Sequence, residues 1–146
     1  MPKTVRNSAA RDAYLNLIRV HELLMGEFEE LFRTAGLTHT QFNVLRILLT
    51  GPKGGVPCQA VGEGLLKRVP DVTRLLDRME RDGLVARRRS DEDRRVVLVE
   101  ITAAGRDRAE GLYGAVDKLH RRQFAHLGAG ETAALNDLLE ATLDRG

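Results

Sequence analysis

Val69–Asp82 reads VPDVTRLLDRMERD, and two patterns run through it. Val72, Leu75, Leu76 and Met79 recur at i, i+3, i+4 and i+7, the apolar stripe of an amphipathic helix that needs a core to lie on. The other face carries Pro70, Thr73, Arg74, Asp77, Arg78 and Arg81. Pro70 suits a first helical position, where a missing N–H costs nothing, and Gly83 supplies the stop. The spacing predicts a helix over 69–82, buried on one side and basic on the other.

Working outward, Cys58–Leu65 is a short helical candidate joined to this segment by a tight Leu66–Arg68 connection. On the other side, Leu84–Arg89 and Arg95–Ile101 are rich in β-branched or basic residues, and Ser90–Arg94 between them has turn composition, so a β-hairpin is expected. Helix, turn, helix, hairpin is the order of a winged helix-turn-helix. In that arrangement the second helix enters the DNA major groove, where Arg can donate two hydrogen bonds to guanine and Thr can meet a thymine methyl. Val69–Asp82 is accordingly read as a recognition helix. The hairpin is read as a wing whose basic residues, at base and tip, can neutralise phosphates or enter a minor groove.

Upstream, Ala9–Thr34 repeats apolar or amphipathic residues (Tyr14, Leu17, Ile18, His21, Leu24, Met25, Phe28, Leu31, Phe32) for about 5 helical turns. So apolar a stripe needs a partner helix, in the same chain or in a second copy. Met1–Ser8 reads as a frayed arm, and Ala35-Gly36 ends the helix. Thr38-His39-Thr40-Gln41 matches a capping box opening His39–Leu49, whose Phe42, Leu45, Leu48 and Leu49 point inward. Thr50-Gly51-Pro52 stops that helix, and Val56 is placed in a one- or two-residue strand before Pro57. Downstream, Thr102 caps a helix over Ala103–Ala125, with Ala109, Leu112, Tyr113, Val116, Leu119, His120 and Gln123 on its buried side. After a break at Leu127–Gly130, Glu131–Leu143 buries Ala134, Leu135, Leu138, Leu139 and Leu143.

The 146 residues suffice for one domain with a core, and 42% hydrophobic content with six aromatics and no Trp argues for a helix-rich fold rather than disorder. The net charge is +2, but Lys67–Arg95 holds ten Lys/Arg against seven Asp/Glu, so the basic excess lies where DNA would lie. A lone cysteine, Cys58, makes no internal disulfide, and neither a signal-peptide core nor a membrane-length apolar run is present, so a cytoplasmic protein is expected. His21, His39, His120 and His126 lack metal-ligand spacing, no Gly-rich phosphate loop follows a strand, and no catalytic constellation stands out. No cofactor, no metal and no enzymatic activity are expected.

Several pieces together resemble the MarR family of bacterial transcriptional regulators: LTHTQFNVLRIL at Leu37–Leu48, VTRLLDRMERDGLVARR at Val72–Arg88, DEDRR at Asp91–Arg95 and VLVEITAAG at Val97–Gly105. With the flanking helices, the resemblance covers nearly the whole chain. It implies a mainly α fold, a winged helix-turn-helix over 37–102 with a β-hairpin wing, and long dimerisation helices over 9–34 and 103–146, all within one domain. It also implies a homodimer on double-stranded DNA, reading a pseudo-palindrome with half-sites about one turn, ~10 bp, apart.

Carried over by position, Pro70, Thr73, Arg74 and Arg78 face the groove. Asp93, Arg94 and Arg95 stand at the wing tip, where an Asp–Arg contact holds the loop and one of the two arginines reaches the minor groove. Asp77 either bridges Arg74 and Arg81 or accepts from a cytosine amine. A small anionic aromatic effector, bound between the dimerisation helices and the winged domain, is implied as well, with Tyr14, His21 and His39 as its candidate polar contacts. The implied function is a repressor relieved by such a ligand. Two alternatives are a thiol-based redox regulator acting through Cys58, whose helix N-terminus could lower the thiol pKa, and a winged-helix protein-interaction module without DNA binding.

Overall fold

The computed structural model describes residues 8–145; the expected N-terminal arm lies almost wholly outside them. Helix α1 runs Ala9–Thr34, opened by Ser8, whose side chain accepts from the Arg11 N–H at 3.1 Å. Next come α2 (His39–Thr50), β1 (Val56–Pro57), α3 (Cys58–Gly64), α4 (Val72–Arg81), β2 (Val85–Arg89), β3 (Val97–Ile101), α5 (Ala103–Phe124) and α6 (Ala129–Leu143). The described residues form two compact units, one ending at Tyr113 and one beginning at Gly114.

The capping box forms as its sequence predicts. Gln41 N–H donates to the Thr38 hydroxyl and Thr38 N–H to the Gln41 side chain, both at 3.1 Å. This anchors α2 at the centre of the first unit. Gln41, Phe42, Asn43, Val44, Leu45 and Leu48 are all buried there, a wider surface than one stripe, while Leu49 is only half-buried. The C-terminal turns of α1 stack Phe28 and Phe32 at 5.7 Å, and Phe32 lies 4.6 Å from Phe42. Such pairs add ~0.5–1.5 kcal/mol each beyond the area they bury.

The sheet order is β1-β3-β2, all antiparallel, with Val85 opposite Ile101, Arg87 opposite Val99 and Arg89 opposite Val97. Val85 and Val99 close the core beneath Leu76 and Met79 of α4, all essentially inaccessible. Thr102 fastens the hairpin to α5: its hydroxyl donates to the Gly83 carbonyl at 2.6 Å and accepts from the Gly105 N–H at 3.0 Å. Gly83 has φ +77°, the left-handed conformation that lets α4 stop and the chain enter β2. At Gly105 a Cβ would collide with the Leu84 carbonyl, so only glycine allows this approach.

Four expectations need correction. The helix after the turn begins at Val72, not 69, because Asp71 caps it, accepting from the Arg74 N–H at 3.0 Å; Pro70 therefore precedes the cap instead of opening the helix. Tyr113 and His120 are exposed on α5, whereas Ala109, Leu119 and Gln123 are buried. Helix α6 starts at Ala129, with the Glu131 side chain accepting from the Gly128 N–H at 3.0 Å, so Ala129 and Gly130 are helical. None of its residues is buried: Leu138 and Leu143 are 67% and 84% exposed. On α1 the same holds for Tyr14, Leu17, Ile18, Val20 and Leu23, while burial sets in only at Phe28.

Candidate nucleic-acid interface

Helix α4 has three sides, set by its 100° step per residue. Val72, Leu75, Leu76 and Met79 face the core or its margin. Thr73, Asp77 and Glu80 form a second stripe, and Arg74, Arg78 and Arg81 a third, roughly 100° further round. Thr73, Arg74 and Arg78 are exposed, as is Pro70 on the approach to the helix. The guanidinium groups of the arginine stripe have no carboxylate partner among the described residues, leaving them free to meet an anion.

Asp77 does not bridge Arg74 and Arg81. Its carboxylate bonds to the Arg87 guanidinium of β2, which also reaches Glu80 Oε1 at 3.2 Å, while the Arg87 N–H donates to Glu80 Oε2 at 2.9 Å. These hydrogen bonds from Arg87 hold the Glu80 carboxyl below the usual carboxylate range. For Arg87, burial works against the charge, yet the bonds to Glu80 and Asp77 outweigh it and raise the guanidinium above its ordinary value.

The neighbouring arginines of β2 are also committed within the fold. Arg88 Nε donates to Glu100 at 2.8 Å and its Nη2 to the Gly54 carbonyl at 2.9 Å, locking β2 across the sheet to the loop before β1. Arg89 donates to the Arg94 carbonyl at 2.8 Å and so shapes the wing turn. At the tip, Asp93 Oδ1 accepts from both the backbone N–H and the Nε of Arg95 at 3.1 Å. The side chain bonds lower the Asp93 carboxyl below its usual range, while Arg95 itself is 91% exposed. Arg94 lies 3.8 Å from Asp91. Of the two tip arginines, then, Asp93 orients Arg95.

One contact that the sequence did not suggest holds α3 and α4 in place. Asn43, 3% exposed on α2, accepts the Leu66 N–H at 2.8 Å and so ties down the turn between them. An asparagine among apolar helix positions was the available signal. Cys58 opens α3 half-buried, and burial pushes its thiol up, against a smaller opposite effect of Arg87. The net shift is opposite to the lowering expected from a helix N-terminus, and a scarcer thiolate is a poorer redox sensor.

The effector candidates are not brought together. His39 packs edge-on against Phe32 at 5.6 Å and lines a cavity of about 350 Å³ with Met25, Glu29, Arg33 and Lys67. Tyr14 and His21 stand instead on the open face of α1, with Tyr14 63% exposed. Arg33 and Lys67 went unread as cavity residues, because only folding brings the end of α1 to the turn before α4.

A sequence profile described as the MarR family matches residues 35–96. The HTH-type transcriptional repressor IacR of Pseudomonas putida is 30% identical over 124 residues, covering 85% of this chain and 73% of that one. Among solved structures, a MarR transcription factor from Planctomyces limnophilus is 38% identical with a TM-score of 0.70, covering 92% of this chain and 98% of that one. The structure of NadR in complex with 4-hydroxyphenylacetate is similar over 100% of both chains, at 27% identity and a TM-score of 0.73.

Proposed function

The chain belongs to the MarR family of DNA-binding transcriptional regulators, and we propose that it acts as a homodimeric repressor whose hold on a pseudo-palindromic operator is loosened by a small anionic aromatic compound. The observation that carries this reading is the division among the arginines. Those of β2 are spent inside the fold, whereas Arg74 and Arg78 on α4 and Arg95 at the wing tip stay outward.

In this reading, Pro70, Thr73, Arg74 and Arg78 meet the major groove and Arg95, braced by Asp93, enters the minor groove, with Arg94 on the phosphate chain. A second copy covers the apolar residues left open on α1 and α6 and sets two recognition helices about one DNA turn, ~10 bp, apart. Tyr14 and His21 belong to that subunit contact. The effector enters the cavity at His39, where Lys67 favours a carboxylate and Met25 an aromatic ring. Support for this ligand class comes from the NadR complex with 4-hydroxyphenylacetate. The chain is a binding protein and no catalyst, as its regulator relatives are, and no helix among the described residues is long and apolar enough to cross a membrane; we place it in the cytoplasm with its DNA.

The test is a gel shift with DNA from upstream of the protein's own coding region, at about 50 and 200 mM salt, with and without 4-hydroxyphenylacetate. Binding is expected at low salt, weakening by ~10³-fold or more at high salt if six or more phosphates are neutralised. A complex indifferent to salt, or none, would favour a protein-interaction module instead.

A further inference from the structure

We propose that Arg87 is a positioning residue for DNA recognition: it pins the carboxylate flank of α4 to the wing, and by masking that flank sets which side of the helix the groove meets. The inference rests on α4 being the groove helix.

Strand β2 alternates, so Arg87 shares a face with Val85, which is buried, and stands opposite Val99, which is inaccessible. An arginine on the core-facing side of a strand must find acceptors, and its side chain is only 20% exposed. Its three bonds to Asp77 and Glu80 span one turn of α4 and join side chain and main chain of β2 to the same flank. A helix held at two points a turn apart has little freedom to roll about its axis. The arginine stripe is fixed with it, turned away from the clamp by roughly 100°.

The clamp also reduces a conflict. Unmasked, Asp77 and Glu80 would bring two negative charges within about one screening length, ~10 Å, of the DNA phosphates. Bound to Arg87, the two carboxylates and the guanidinium together carry one negative charge instead of two. Arg87 thereby acts on DNA through two carboxylates.

Operator duplex selected from genomic DNA by the wild-type protein, and a random duplex of equal length, would be titrated by fluorescence anisotropy. The proteins are Arg87→Ala, the pair Asp77→Asn with Glu80→Gln, and the combination of all three. Arg87→Ala is expected to lose about tenfold or more on the operator and less on random duplex, narrowing the ratio between them. Adding the neutral pair should restore random-duplex binding, because the repulsion is gone, while the ratio stays narrow, because the helix is no longer pinned. Should Arg87→Ala fail to fold by circular dichroism, the pair alone gives the answer, with tighter random-duplex binding and a narrowed ratio. A wild-type ratio in Arg87→Ala, or in the pair when Arg87→Ala does not fold, overturns the proposal. So does a combination that binds no better than Arg87→Ala with a salt slope smaller by ~1, which would make Arg87 a direct phosphate contact. Arg74→Ala serves as the reference: if it too is silent, the groove assignment falls and the clamp with it, whereas a responsive Arg74→Ala beside a silent Arg87→Ala removes the clamp alone.

Discussion

Asp93 and Arg95 are joined two residues apart by a fork: Nε donates to Oδ1 at 3.1 Å and Nη2 to Oδ2 at 3.2 Å, while the same Oδ1 also holds the Arg95 N–H. A bidentate pair fixes direction as well as distance. The exposed guanidinium is thus aimed before any DNA arrives, which lowers the ordering cost of binding.

From this, Arg95→Ala should weaken operator binding by about tenfold, and Asp93→Ala should follow it part of the way, whereas Arg94→Ala should lose less and mainly lower the salt dependence. Anisotropy titrations at two salt concentrations check this. Equal losses for Arg94→Ala and Arg95→Ala would remove the assignment of Arg95.

Arg74, on the unclamped stripe of α4, should read a base. Arg74→Ala is expected to relax preference at one position per half-site at a cost of ~1–3 kcal/mol. Binding selection on a randomised operator shows this directly, and a uniform loss over all sequences would mark a phosphate contact instead.

The cavity at His39 predicts that Lys67→Ala and His39→Ala keep DNA binding but blunt its release by 4-hydroxyphenylacetate. Calorimetry with that compound should register a Kd at least about tenfold weaker, near 1.4 kcal/mol. Variants that respond like the wild type would move the effector elsewhere.

Leu17 and Ile18 are 41% and 50% exposed on one face of α1, as an uncovered interface requires. Leu17→Glu with Ile18→Glu should yield a monomer in sedimentation experiments and abolish tight operator binding. A stable dimer carrying both charges would place the subunit contact on another face.

Acid should loosen the wing from α4 before it melts the core. The Glu80 and Asp93 carboxyls are held below their usual range by Arg87 and Arg95, so the unfolded chain takes up these protons at higher pH than the native one. Their contribution is complete above the ordinary carboxylate range and is lost as pH falls through their lowered values. Melting temperatures measured across that range should fall less steeply on acidification in a Glu80→Gln variant than in the wild type.

Local chemistry was enough for much of this molecule. The Thr38–Gln41 box, the bounds of α1, the Gly83 stop and the Thr102 cap each depend on residues within about a turn of one another, and all are legible as short patterns. Two runs rich in β-branched or basic residues, with turn composition between them, likewise sufficed to place the hairpin. Even there a local rule could mislead: Pro70 and Asp71 compete to open α4, and the side chain able to accept a hydrogen bond prevails.

What a stripe cannot say is what covers it. Leu138 and Leu143 carry the spacing of buried residues, yet within this chain they are exposed, since periodicity reveals an apolar face without naming its partner. Charge is equally mute about direction. Arg87, Arg88 and Arg89 read as one basic run, but a pleated strand turns alternate side chains to opposite faces. Only the packing of β2 against α4 made Arg87 a clamp on Asp77 and left Arg74 free, because that pairing joins residues ten positions apart whose meeting depends on how the sheet is laid against the helix.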